Sequence, residues 1–169
     1  MNAIKILLSI NLIFIGHILS TNVSAAQDDM VVWRPSNGTW YARLSGGNWN
    51  TKLNRQWGTV GDIPLANTDL DGDRKDDMVV WRPSNGTWYA RLSRGNWNTK
   101  LNRQWGTVGD IPLANTDFDG DGKDDMVVWR PSNGTWYARL SRGNWNTKLN
   151  RQWGTVGDIP LGAMDFDGR

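Results

Sequence analysis

The sequence predicts an all-β protein made of β-propeller blades of four antiparallel strands, with three 48-residue repeats per chain. Three observations predict it. Asp28-Asp29-Met30-Val31-Val32-Trp33-Arg34-Pro35 recurs from Asp76 and again from Asp124, a period of 48 both times. Segments between the turn signals alternate with a period of two, and no stretch beyond residue 26 carries helical periodicity. Gly, Pro and Asn break every unit at the same places, in a chain of 169 residues with 19 Gly and 12 Trp.

The first element is an address rather than structure. Residues 1–26 read as a secretory signal peptide: Lys5 gives a positive start, 6–19 is mostly apolar, and Val23-Ser24-Ala25 supplies small residues for cleavage. The apolar run is short for a membrane span and is interrupted by Ser9, Asn11 and His17. The expected location is therefore secreted or periplasmic. The propeller domain is expected over 27–169, with repeats at 28–75, 76–123 and 124–169.

Within the first repeat, Met30–Arg34 is β-rich. Pro35-Ser36-Asn37-Gly38 is a turn, with Asn-Gly as a hairpin signal. Thr39–Leu44 alternates, with Trp40, Ala42 and Leu44 on one face. Ser45-Gly46-Gly47 breaks the pattern. Residues 51–57 alternate again, and 63–68 is a fourth short strand with Pro64 near its start.

The chain has no Cys and no Glu, and its single His falls within 1–26. These counts exclude a disulfide framework, a Cys/His zinc cluster and a His general base in the mature chain. Net charge is +2, too small to argue for nucleic acid. All Asp except Asp62, Asp110 and Asp158 fall at the repeat junctions. Asp69, Asp71, Asp73 and Asp77 stand at positions one, three, five and nine of a loop, with the Lys75 carbonyl at seven. Asp117, Asp119, Asp121, Asp125 and the Lys123 carbonyl repeat the pattern. Hard oxygen donors at this spacing predict Ca2+, and magnesium fits less well because it keeps its waters. The alternative is a solvated Asp/Gly turn without metal.

The run Asp117-Phe118-Asp119-Gly120-Asp121-Gly122-Lys123-Asp124-Asp125, followed by Met126-Val127-Val128-Trp129, resembles the FG-GAP (VCBS-type) repeat of integrin-α-like β-propellers. The resemblance spans nearly all of 27–169, although the literal Phe-Gly and Gly-Ala-Pro elements are absent. It implies an inner strand before each calcium loop and three strands running outward after it. It also implies a role in recognition.

Two half-motifs remain. Asp29 is the tail of a loop without a head, and Asp165 with Asp167 is a head without a tail. The first repeat lacks an inner strand, and 160–164 is a spare one. A homodimer closing a six-bladed ring would join them; a truncated array or open arc is the alternative.

Trp33, Trp40 and Trp57 are expected in the core. Trp49, Trp97 and Trp145 lie in breaks beside Asn, and the last two follow Arg94 and Arg142. A flat ring beside polar donors is the composition of a sugar-stacking site, and packing is the competing reading. The Asn37-Gly38-Thr39 sequon is explained by its hairpin. The expectation is a non-enzymatic recognition module for a glycan or protein ligand. An accessory propeller fragment without its own ligand is the alternative, and a glycoside hydrolase fits least.

Overall fold

The structure, a computed structural model, describes residues 27–168; the expected signal peptide lies outside the described residues. Among the described residues eleven strands form three antiparallel sheets of three, four and four strands. The first sheet orders β1 (Met30–Arg34), β2 (Thr39–Leu44) and β3 (Thr51–Gln56). The second orders β4 (Ile63–Leu65), β5 (Met78–Arg82), β6 (Thr87–Leu92) and β7 (Thr99–Gln104). The third repeats it with β8 (Ile111–Leu113), β9 (Met126–Arg130), β10 (Thr135–Leu140) and β11 (Thr147–Gln152). Among the described residues no helix is long and apolar enough to cross a membrane.

The alternating segments are strands with the predicted facing. Trp88 and Ala90 of β6 are buried, while Tyr89 between them is half-buried on the other face. Strand β5 differs: Met78, Val79, Val80 and Trp81 are all buried, because a sheet covers each of its faces. The fourth strand is shorter than 63–68, since only Ile63, Pro64 and Leu65 pair, with Trp81, Val80 and Val79. Asn67 then turns to a φ of 51°, which ends the extended run. The spare segment 160–164 is not a strand, because no β5-like strand lies beside it among the described residues. The hairpin turn is the expected four residues, Pro35 to Gly38: Arg34 pairs with Thr39, and the Gly38 N–H donates to the Arg34 carbonyl at 2.9 Å. Only Gly38 takes a positive φ, and a Cβ there would strike the Gly58 carbonyl.

The sheets stack through a repeated interface. Trp40 with half-buried Leu53 meets Met78, Val80 and Trp97 of the next sheet. Trp88, Ala90 and Leu101 meet Met126, Val128 and Trp145 in the same way. The Trp57 indole donates across the gap to the Tyr89 carbonyl, and Trp105 to that of Tyr137, both at 3.2 Å. Arg91 lies over the Trp57 ring at 4.8 Å and Arg139 over Trp105 at 5.0 Å. At the end carrying the Pro-Ser-Asn-Gly turns, Arg82 clasps buried Asp62 through Nε and Nη2 at 2.7 and 2.9 Å. Arg130 holds Asp110 with the same two distances.

Candidate metal centre

Each acidic loop connects the short edge strand β4 or β8 to the next strand of its sheet, so it emerges at the end that also carries the β2–β3 and β6–β7 type connections. That placement lets the loop be clamped by its own sheet. In the second sheet, Asp77 is buried, and its Oδ1 accepts from the Ser93 N–H at 2.7 Å and its Oδ2 from the Leu70 N–H at 2.9 Å. Ser93 Oγ donates to Asp73 Oδ1 at 2.7 Å and sits 3.4 Å from the Lys75 carbonyl. Asp69 Oδ1 accepts from the Gly72 N–H at 2.7 Å, which folds the loop back on its first residue. Asp71 Oδ1 accepts from the Asp73 N–H at 3.1 Å. Gly72 has a φ of 75° and allows that fold.

The third sheet repeats the arrangement. Asp125 is buried between the Ser141 and Phe118 N–H groups at 2.7 and 2.8 Å. Asp121 Oδ1 accepts from Ser141 Oγ at 2.8 Å and from the Lys123 N–H at 3.0 Å. Asp117 Oδ1 takes the Gly120 N–H at 2.7 Å. Asp119 Oδ2 takes the Arg142 N–H at 3.2 Å, while its Oδ1 is buried without a partner.

Two groups of carboxylates converge, each with one oxygen per residue and all of them within 4.8 Å: Asp69, Asp71, Asp73, and Asp117, Asp119, Asp125. Positions one and three meet in both loops, joined by position five in the first and position nine in the second. Both groups can hold a metal ion. Burial pushes the Asp77 carboxyl up to about 7, offset in part by its two N–H donors, with the charges of Asp71 and Asp69 adding. Burial likewise carries Asp125 to about 6, and its neighbours Asp119 and Asp117 add to it. The donors are all hard oxygens, and the orphaned Asp119 Oδ1 has a lone-pair site that only a cation or a proton donor satisfies. The residues present fit a hard divalent cation.

The half-motifs stand apart. Asp29 Oδ1 accepts from the Ser45 N–H at 2.7 Å, as Asp77 does from the Ser93 N–H, and also from Ser45 Oγ at 2.9 Å, whereas Ser93 Oγ donates to Asp73. Asp165 Oδ1 accepts from the Asp167 and Gly168 N–H groups at 3.1 and 2.8 Å, as Asp117 Oδ1 does from those of Asp119 and Gly120. The first lies on the first sheet and the second beyond the third, with the middle sheet packed between.

Two of the three rings expected as stacking platforms pack against a neighbouring sheet. Trp145 is buried in the core, and Trp97 is half-buried against the first sheet. Trp49 is half-buried with its indole 3.3 Å from the Asp28 carbonyl. All three have positive φ, from 56° to 57°, and in Trp97 and Trp145 the turn swings the ring back onto the preceding sheet rather than outward. Arg94 and Arg142 do not sit beside them as sugar donors. Their guanidinium groups reach the Asp71 and Asp119 carbonyls at 3.1 and 3.0 Å and cover the acidic loops. The first repeat has Gly46 at this place, where no loop head precedes it.

Sequence reasoning missed Ser93 and Ser141, the hydroxyls that tie the loops to the sheets. Their signal was present: Ser45, Ser93 and Ser141 follow the second strand of each repeat at one spacing. It also gave no partner to Asp62 and Asp110, the Asp outside the junctions, which Arg82 and Arg130 pair with 20 residues on. No family model, no curated protein and no solved structure matches this chain.

Proposed function

We propose that this chain is an exported, calcium-stabilised repeat module of the propeller type, acting by recognition rather than catalysis. The observation that carries the reading is the convergence of three carboxylates in each acidic loop, with Asp119 Oδ1 buried and otherwise unpartnered. Calcium bound there would cross-link Asp69, Asp71 and Asp73 in one loop, and Asp117, Asp119 and Asp125 in the other. It would stiffen the end of the stack from which Arg94 and Arg142 project. The FG-GAP-type resemblance supplies the propeller architecture and the ligand class, a glycan or a protein; a preformed rigid surface binds with little ordering cost. Asp62 and Asp110 are already engaged by Arg82 and Arg130, which supports a non-catalytic role for them.

The test is calcium titration of the purified chain, followed by calorimetry and by thermal unfolding, with magnesium as control. Calcium at about a hundred times its Kd should add about 2.7 kcal/mol per site. Asp71→Asn and Asp119→Asn should each remove one site and leave the other. Failure of millimolar calcium to bind or to raise Tm would end the calcium reading. Calcium-dependent retention on a glycan array or a protein array then decides the ligand class.

A further inference from the structure

The two outer faces of the three-sheet stack are the two halves of the interface that the stack already makes twice. On the first sheet, Val32 is 62% exposed, whereas its equivalents Val80 and Val128 are fully buried at 0%. Met30 on the same face is exposed as well, whereas Met78 and Met126 are buried. Val31 shares the other face with Ala42 and is 49% exposed, whereas Val79 and Val127 are buried beside Leu65 and Leu113 of the adjoining strand. Beyond the third sheet, Leu161 is 66% exposed, whereas Leu65 and Leu113 are buried at 5% and 8%. Trp153 is exposed, whereas Trp57 and Trp105 each donate to a carbonyl of the next sheet. An open groove of about 670 Å³ lies on this face, lined by Trp136, Ala138, Leu149, Trp153 and Leu161 among others. In the first sheet Trp40 and Leu53, which match Trp136 and Leu149, are covered by Met78, Val80 and Trp97, and in the second Trp88, Ala90 and Leu101 are covered by Met126, Val128 and Trp145. By the same repeat, the residues shaped to fill the groove are Met30, Val32 and Trp49.

We infer that the groove takes the first sheet of a second copy of this chain, head to tail, and that two copies close a ring. Residues 159–161 of one copy would pair with 31–33 of the other, in the register of Ile63, Pro64 and Leu65 on Trp81, Val80 and Val79. Exposed Asp158 would meet exposed Arg34 of the second copy, as Asp62 meets Arg82 and Asp110 meets Arg130. Asp165 and Asp167 would come beside Asp29 of the second copy and complete a third type of acidic loop. A head-to-tail contact closes a ring when its rotation divides the circle. Propellers have about four to eight sheets, and among multiples of three only six falls in that range, which two copies supply. The apolar docking stands on its own; the composite loop rests on the calcium reading above.

The experiment is light scattering of the purified chain over a range of concentrations, with calcium counted on the same samples. The expected mass is two chains with three calcium per chain. Val31→Asp places a charge on a surface that is exposed in the single chain and buried in the pair, so it should give one chain with two calcium. Arg34→Asp should weaken association at least about tenfold, and Asp158→Arg added to it should restore the pair. If Val31→Asp fails to fold, the charge exchange alone decides. One chain at every concentration would overturn the inference, and two calcium bound to that single chain would leave the calcium reading intact. Mass that grows without limit would overturn closure by two copies. A pair indifferent to Val31→Asp and to the charge exchange would place the contact elsewhere and overturn it too. A pair that responds to both but binds no calcium would support the docking and end the calcium reading.

Discussion

Asn67 and Asn115 each close the fourth strand of a repeat with a φ of 51°. The left-handed region costs an L-residue roughly 1–2 kcal/mol, and Asn tolerates it because its short amide bonds locally. The last repeat has Ala163 at this place, at a φ of 56°. Asn115→Ala should therefore lower stability by about 1 kcal/mol, and Asn115→Gly by less, read as a shift in denaturant midpoint at unchanged slope. Equal effects of Ala and Gly would show that the side chain, not the backbone, matters there. Backbone handedness of this kind was poorly legible in the sequence. Asn-Trp in a break reads as an exposed loop, yet Trp97 and Trp145 turn inward because consecutive positive φ values reverse the chain. The acidic spacing was far more legible. Acidic positions one, three, five and nine are a local property of nine residues, and each loop brings three of those four carboxylates together, without Asp77 in the first and Asp121 in the second.

At the scale of the element, local alternation made the strands readable, and their ends were misjudged where a nonlocal contact decides them. The fourth strand stops after Leu65 because only three residues of β5 face it. The Asp62–Arg82 pair was illegible for the same reason: it joins a loop to a strand 20 residues away across the sheet end. Its side-chain carboxylate is 1% exposed and takes two guanidinium bonds plus the Thr59 N–H at 2.9 Å. Removing the charge on one side leaves the other partly buried and underpaired. Asp110→Asn should cost about 2 kcal/mol in thermal or denaturant unfolding, since Arg130 keeps roughly a quarter of its exposure and recovers some hydration. Asp158→Asn is the matched control. That carboxylate is exposed and caps the Thr155 N–H at 2.8 Å, so in a single chain its loss should cost well under 1 kcal/mol. A large cost for Asp158→Asn that vanishes on dilution would itself point to the second copy.

For the whole molecule, three nearly identical sequences in three surroundings form an internal control. Sequence repetition predicted three nearly identical units, the first short of one strand, and it could not say how far their stability would differ, because burial here is set by neighbours rather than by the strand itself. Strand β5 is buried on both faces, whereas β1, with the same residues, is largely exposed. Among the described residues β1 also lacks the inner-strand partner that β5 and β9 have in β4 and β8. Local opening follows such differences in buried contact and in pairing. In a chain held single by Val31→Asp, amide exchange should therefore be slowest in β5 and β6, and fastest in β1 and β11. In the assembled pair each sheet gains the missing neighbour, and protection of β1 should rise toward that of β5 while the middle sheet barely changes. Hydrogen-exchange mass spectrometry separates these segments except where the repeats give identical peptides, and Leu70 against Phe118 and Gly46 against Arg94 supply the distinguishing masses. A flat protection profile in the single chain would mean that each sheet is stable alone. The exposed Val32 and Leu161 would then carry no part of the cooperativity, because stacking, not intrinsic strand stability, is what the unequal burial of equal sequences requires.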